Sequence, residues 1–262
     1  MFNFSELERL FYRQFPSLTF YGLSTVDSTN AFLKRACKSS LEPTICITHN
    51  QTDGYGQRSR EWISNEESLT FSLLSKLSVP IHEIDGLSQC IGLCIANALS
   101  QISMKNLSIK WPNDIYSEIG KVAGLLIECV NYSKVDCWLV VGIGINFSDI
   151  SLDNSAKTCS TSTADYIELS SESAAFTDVL INIISNLNNL FACYNQQTFA
   201  SRFQEYQKYD YFELEQEVIV YDTGQSIIGR YKGLSKRGEL LFESSGSLSV
   251  YRSGEISVRS IT

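Results

Sequence analysis

Residues 108–124 read SIKWPNDIYSEIGKVAG. Ser108 to Trp111 has the texture of a short strand, and Pro112 stops it, because proline brings no N–H to a ladder. Ile115 to Gly120 suits a hairpin turn, and Val122 to Val130 is apolar enough for a second strand. Lys110, Asn113 and Asp114 therefore sit together where the chain turns. Asp114 and Lys121 are seven positions apart across the turn, so the two side chains are expected to converge. Packing alone gives no reason for that combination of lysine, asparagine and aspartate.

Outward from this hairpin the chain alternates between strands and helices. Thr44 to Thr48 and Leu69 to Leu74 read as strands upstream, and Cys137 to Val141 as a strand downstream. Ile84 to Gln101 places Leu87, Ile91, Ile95, Ala98 and Leu99 at helical spacing. A longer amphipathic helix follows from about Ala174, marked by Phe176, Val179, Leu180, Ile183, Ile184, Leu187, Leu190, Phe191 and Tyr194, and a shorter one spans Phe199 to Tyr209. After Phe212 the texture becomes short strands between glycine turns: EVIVYDTG, QSIIGRYKGLSKRG, ELLFESSG, SLSVYRSG and EISVR. That pattern predicts a small antiparallel barrel. The expectation is an α/β chain with a larger domain over 1–212 and a barrel over 213–262.

Composition narrows the class. A hydrophobic content of 44% with 19% charged residues is the balance of a packed globular protein. A formal charge of −8 argues against a general nucleic-acid binder, which needs a basic face. No apolar run reaches the roughly 20 residues of a membrane-spanning helix, and MFNFSELERLFYRQF has no apolar core of a signal peptide. The eight cysteines (Cys37, Cys46, Cys90, Cys94, Cys129, Cys137, Cys159, Cys193) form no CxxC pair and read as reduced, mostly buried thiols. With only His49 and His82, neither a histidine metal site nor a Ser-His-Asp triad is supported. These features point to a cytoplasmic protein.

Two further segments carry unusual residue types. His49 to Trp62, HNQTDGYGQRSREW, is a strand end followed by a loop with Gly54, Gly56, Arg58 and Arg60. Glycines let backbone amides approach a ligand, and arginines pair with phosphate through directional hydrogen bonds. The same stretch alone would equally suit a solvated surface loop. Val140 to Phe147, VVGIGINF, has two glycines in a strand-like run, which signals close approach of another backbone or a ligand, or else a bulge. Asn146 stands at its end.

Together these segments resemble the biotin protein ligases, also called biotin–[acetyl-CoA-carboxylase] ligases. Ser28-Thr29-Asn30 looks like the family's Ser-Thr-Asn motif, KWPND followed by KVAG is its most specific signature, and GIGIN at 142–146 is intact. The likeness runs from about Ser24 to Phe147 and weakens beyond. It implies a mixed, largely antiparallel sheet backed by helices, the class II synthetase-like fold of biotin and lipoate ligases, with an SH3-like C-terminal barrel.

The resemblance also implies roles. Ser28, Thr29, Asn30, Gln51, Gly54, Gly56, Lys121 and Gly124 would hold biotin. Arg58, Arg60, Trp62, Lys110, Asn113 and Asn146 would meet the nucleotide. Lys121, Arg58, Arg60 and Asp114 would act in catalysis, Asp114 by orienting the acceptor amine. ATP with Mg2+, biotin as substrate, and a biotin carboxyl carrier domain of a biotin-dependent carboxylase are the implied partners; a homodimer is compatible with them. No metal-ligand motif is present in the side chains, so magnesium is expected to arrive with ATP. No helix-turn-helix module precedes the matching region, so DNA is not expected as a partner, and without a long apolar run neither is a membrane.

The loop departs from the family at two places. Tyr55 replaces an arginine and Ser59 replaces a late glycine, while Gln57 is within the family's range. A lipoate- or octanoate-transferring enzyme is the nearest rival, but the Arg-Arg-x-Gly-Gly-Gly run of that group is not found. A silent biotin-binding protein is the rival that Tyr55 sustains. An interaction module with an inert partner domain would leave the polar motifs unexplained.

Overall fold

The computed structural model describes residues 3–64, 68–102, 106–147, 173–222, 225–254 and 256–261. Helix α1 (Phe4–Gln14) leads into strand β1 (Thr19–Val26), helix α2 (Thr29–Ala36) and strand β2 (Thr44–Gln51). Strand β3 (Ser68–Leu77), helix α3 (Leu87–Ser100), and strands β4 (Ser108–Lys110), β5 (Asp114–Tyr116), β6 (Lys121–Tyr132) and β7 (Cys137–Asn146) follow. These strands make one sheet in the order β1-β2-β3-β7-β6-β5-β4. Only β1 and β2 run parallel; the other neighbours are antiparallel. The expected mixed, largely antiparallel sheet is therefore present. The hairpin predicted over 115–120 is tighter than expected, since Asp114–Tyr116 is itself a strand and the turn is confined to 117–120.

Side-chain alternation assigns the two faces of this sheet. On β3, Leu69, Phe71 and Leu73 enter the main core, as do Leu139, Val141, Ile143 and Ile145 on β7. That face is covered by α3 and by α4 (Ser173–Cys193), with α5 (Thr198–Gln207) packed on α3. Helix α3 is buried nearly all round, which fits its uniformly apolar sequence. The residues between them, Ser68, Thr70 and Ser72 on β3 and Gly142, Gly144 and Asn146 on β7, face the other side. There α2 covers one end over Leu33, Cys46, Leu74 and Val140, and the other end is left for a cavity.

The remaining strands β8 (Glu217–Asp222), β9 (Gln225–Leu234), β10 (Leu240–Ser244), β11 (Ser247–Tyr251) and β12 (Ser257–Ser260) form a second, wholly antiparallel sheet in the order β11-β10-β9-β8-β12. All five predicted strands are there. Closure is not: the edge strands β11 and β12 do not pair with each other among the described residues, so the sheet is open rather than a closed barrel. The turn expected at Gly224 and the thiol of Cys159 lie outside the described residues. Of the described thiols all are free; Cys46, Cys90, Cys94 and Cys137 are buried, whereas Cys129 and Cys193 are exposed.

Three contacts dock the second sheet on the first. Trp111 Nε1 donates to the Gly238 carbonyl at 3.0 Å. Arg237 pairs with Asp85 ahead of α3. The Tyr231 hydroxyl donates to Asp210 Oδ2 at 2.6 Å.

Burial pushes the Asp210 carboxyl up to about 6, although the Tyr231 hydroxyl and the amides of Phe212 and Tyr211 oppose that. A carboxyl whose folded-state pKa is raised binds its proton more tightly when folded. Its contribution is complete below the unfolded value of 3.8 and is lost as pH rises through about 6. A tenfold gain in proton affinity on folding is worth about 1.4 kcal/mol, so Asp210 accounts for about 2–3 kcal/mol between pH 4 and pH 8. Asp210→Asn should remove that part of the pH slope, as read by urea denaturation at the two pH values. An unchanged slope would contradict the assignment.

Candidate active site

The open end of the first sheet forms a cavity of about 320 Å³, within the range of small-ligand sites. Its floor comes from the α2 N-terminus and from β3, β6 and β7. Ser28 caps α2, its hydroxyl accepting from the Ala31 amide at 3.4 Å. Gln51, the last residue of β2, accepts through Oε1 from the Thr29 amide at 2.8 Å and the Thr29 hydroxyl at 3.1 Å. Ser28, Thr29 and Gln51, grouped by resemblance in the sequence, thus meet at one corner. A helix N-terminus with its dipole turned to the cavity favours polar or anionic ligand atoms there.

Asn30 is placed one layer deeper. Its Nδ2 donates to Glu128 Oε2 at 2.8 Å, and its Oδ1 lies 2.5 Å from the Ser72 hydroxyl. A side chain at Gly142 would come within 2.2 Å of that Oδ1, so glycine there makes room for the Asn30 amide. Gly144 has a parallel cause: an added Cβ would sit 2.2 Å from the Trp62 ring. The GIGIN glycines therefore receive two side chains of the protein itself, rather than another backbone. Gly54 is buried against Gln51 and the Trp62 carbonyl and does not line the cavity, whereas Gly56 does.

Lys121 and Asp114 converge as their spacing predicted, with Nζ 2.7 Å from Oδ1. The Lys121 ammonium also lies 5.3 Å from the Trp62 ring centroid, a cation–π contact. A side chain at Gly124 would meet Lys121 Nζ at 2.9 Å, which accounts for the glycine that follows this lysine. Asn113 has a structural task, since its Nδ2 donates to the Leu125 carbonyl at 2.7 Å and holds β5 to β6. Asn146 donates to the Lys121 carbonyl at 3.3 Å and so fixes the backbone of the same lysine.

Lys110 lies among Tyr116, Tyr211 and Phe212, with Nζ 4.9 to 5.9 Å from their ring centroids. Burial holds its ammonium below the usual lysine range; Asp114 acts against this, and Arg259, Lys121 and Arg60 add to it. Those cations are thus near neighbours. Arg259 belongs to β12 of the second sheet, and with Ile256, Ser257 and Val258 it lines the cavity. Sequence reasoning missed it, because nothing local in SVRS signals a site. Arg58, Arg60, Lys110, Lys121 and Arg259 face the cavity against the carboxylates Glu61 and Asp114. In a chain of net charge −8, that local excess of cations is made for an anion.

The glycine/arginine loop folds as a small hairpin over the cavity. Trp62 N donates to the Gly54 carbonyl and Gly56 N to the Arg60 carbonyl, both at 2.8 Å, and Tyr55 bridges Glu61. At its tip Arg58 and Ser59 have φ of 59° and 54°. Ser59 stands where the family pattern has glycine, and its backbone is in the left-handed region that favours glycine. Left-handed strain costs about 1–2 kcal/mol for a non-glycine residue, while glycine adds about 0.5–1 kcal/mol of unfolded-chain entropy. Ser59→Gly should therefore stabilise the fold by about 0.5–1 kcal/mol in urea denaturation. A loss of stability would show that the tip has no strain to relieve.

A cation-rimmed pocket roofed by a strained loop suits an anionic small ligand. Residues 21–146 match the biotin/lipoate A/B protein ligase family. The bifunctional ligase/repressor BirA of Escherichia coli is 28% identical over 239 residues, spanning 91% of this chain and 73% of that protein. The biotin--[acetyl-CoA-carboxylase] ligase of Paracoccus denitrificans is 30% identical over 128 residues, 48% of this chain and 53% of its own. Among solved structures, biotin protein ligase from Aquifex aeolicus in complex with biotin and ATP superposes with a TM-score of 0.69 at 27% identity. It covers 93% of this chain and 99% of that one.

Proposed function

We propose that this chain is a biotin protein ligase, which forms biotinyl-5′-AMP from biotin and ATP and then transfers biotin to a lysine of a biotin carboxyl carrier domain. The cluster of cations at the cavity carries the reading. In the first step a biotin carboxylate oxygen attacks the α-phosphorus of ATP, a P–O bond forms, and pyrophosphate leaves. Two unit anions 4 Å apart repel by about 4 kcal/mol at an effective dielectric near 20. One preorganised donor supplies about 3 kcal/mol at the transition state, so Lys121 with Arg58, Arg60 or Arg259 suffices to offset it.

In this reading Ser28, Thr29 and Gln51 bind the ureido head, the cations hold the phosphates, and the buried Trp62 Nε1, without a protein partner among the described residues, faces the nucleotide side. The described residues contain no cluster of three His, Cys, Asp or Glu side chains suited to a metal. Magnesium would then be carried by the ATP phosphates, where it supplies further positive charge. In the second step the acceptor amine attacks the anhydride carbonyl and AMP leaves. In this reading Asp114, beside Lys121, orients that amine and takes its proton.

None of the described helices is long and apolar enough to cross a membrane, and we place the enzyme in the cytoplasm. Biotin-dependent exchange of labelled pyrophosphate into ATP tests the first step. Exchange supported by lipoate but not by biotin would replace this reading with the lipoate-ligase one.

A further inference from the structure

Tyr55, one of the two residues that depart from the family's loop, is tied to the sheet beneath it. Its hydroxyl donates to Glu128 Oε2 at 2.9 Å, across 73 residues of sequence. The same oxygen accepts from Asn30 Nδ2 at 2.8 Å, and Glu128 Oε1 accepts from Lys34 Nζ at 2.6 Å. Lys34 Nζ also lies 5.9 Å from the Tyr55 ring centroid. Glu128 is half-buried; burial would raise its pKa, but Lys34, Asn30 and Tyr55 outweigh that and hold it below the ordinary glutamate value. It is therefore a fixed anion at neutral pH, and a hydrogen bond to a charged acceptor is among the stronger ones.

The contact does not stop at Glu128. From Asn30 the polar contacts continue to Ser72 at 2.5 Å, from Ser72 to Thr29 Oγ1 at 2.7 Å, and from Thr29 Oγ1 to Gln51 Oε1 at 3.1 Å, where the Thr29 amide also donates at 2.8 Å. Gln51 begins the same loop, and its amide donates to the Ser64 hydroxyl at the loop's far end, at 3.0 Å. The loop is thus held at its entrance, at its exit and at Tyr55, and two of those ties run through the residues assigned to biotin.

We propose that Tyr55, through Glu128 and Lys34, is a positioning residue that keeps the 54–62 loop folded over the cavity before any ligand binds. The inference rests on the ligase reading for its kinetic consequence, but not for its structural one. A loop already folded loses less chain entropy when the first substrate arrives, so the benefit appears in binding rather than in chemistry. The hydroxyl makes this tie without placing a positive charge next to Lys34.

Tyr55→Phe removes only the hydroxyl and leaves the ring over Lys34. The first measurement is trypsin cleavage at Arg58 and Arg60 in the ligand-free enzyme, with Tyr12→Phe on the exposed face of α1 as control. Tyr55→Phe should be cut about tenfold faster than wild type, and Tyr12→Phe at the wild-type rate. The second is pyrophosphate exchange, in which Tyr55→Phe should raise the KM for biotin about tenfold with kcat within twofold. Equal cleavage rates for Tyr55→Phe and wild type would overturn the proposal, whatever the enzyme's substrate. So would a loss confined to kcat. Exchange by neither protein, with cleavage accelerated as expected, would leave the tie standing and sink the ligase reading instead.

Discussion

Lys121→Ala should lower the rate of biotinyl-adenylate formation by about 10²–10³, which corresponds to about 3–4 kcal/mol of lost transition-state stabilisation. Three features make the loss large. The ammonium is half-buried, it is fixed by Asp114 at 2.7 Å, and it stands over Trp62. A cation already oriented in a partly dry site needs little reorganisation when charge develops in front of it. Removing it also leaves Asp114 facing the cavity without its counter-ion, which adds repulsion against both the carboxylate and the phosphates. Single-turnover adenylation at saturating biotin and ATP separates this from weakened binding. A defect seen only in KM would show that Lys121 binds ground and transition states alike.

Trp111→Ala should cost about 3–5 kcal/mol of stability, in the range of buried aromatic truncations. The Trp111 side chain is 2% exposed and belongs to the main core. Its indole N–H also reaches the second sheet at Gly238. That turn is tightly seated, since a side chain at Gly238 would come within 2.7 Å of Gly86 Cα. Truncation therefore opens a cavity beside KWPND and releases the turn at once. Urea denaturation checks it, and a cost below about 1 kcal/mol would mean that the site collapses freely around the gap. Because β12 brings Arg259 to the cavity, the variant should also weaken nucleotide binding in whatever fraction remains folded.

What is legible in the sequence follows from local pattern. Alternation of Leu69, Phe71 and Leu73 with polar residues marks a strand with one wet face, and the spacing of Asp114 and Lys121 across a turn brings the pair together. The helices α1 and α2 and strand β1 do not stand out, although Asn3 and Ser28 cap the two helices with side chains suited to the task. Their apolar runs are short, and their burial depends on the sheet they cover.

The harder residues are those whose roles depend on distant parts of the chain. Glu128 looks like an ordinary strand residue until Tyr55, Asn30 and Lys34 converge on it. Gly142 and Gly144 announce a close approach, but not that Asn30 and Trp62 are the groups approaching. Arg259 reaches the cavity only because Trp111, Asp85 and Asp210 dock the second sheet. Conversely Asn113, which the motif places at the nucleotide, has its amide bonded to the β6 backbone.

The most direct test is transfer of biotin to a purified biotin carboxyl carrier domain in the presence of ATP and magnesium, comparing wild type, Lys121→Ala and Asp114→Asn. Wild type should label the carrier lysine, Lys121→Ala should fail at adenylate formation, and Asp114→Asn should form the adenylate but transfer it slowly. Wild-type enzyme that binds biotin in calorimetry yet transfers none would contradict the account and leave a biotin-binding protein without ligase activity.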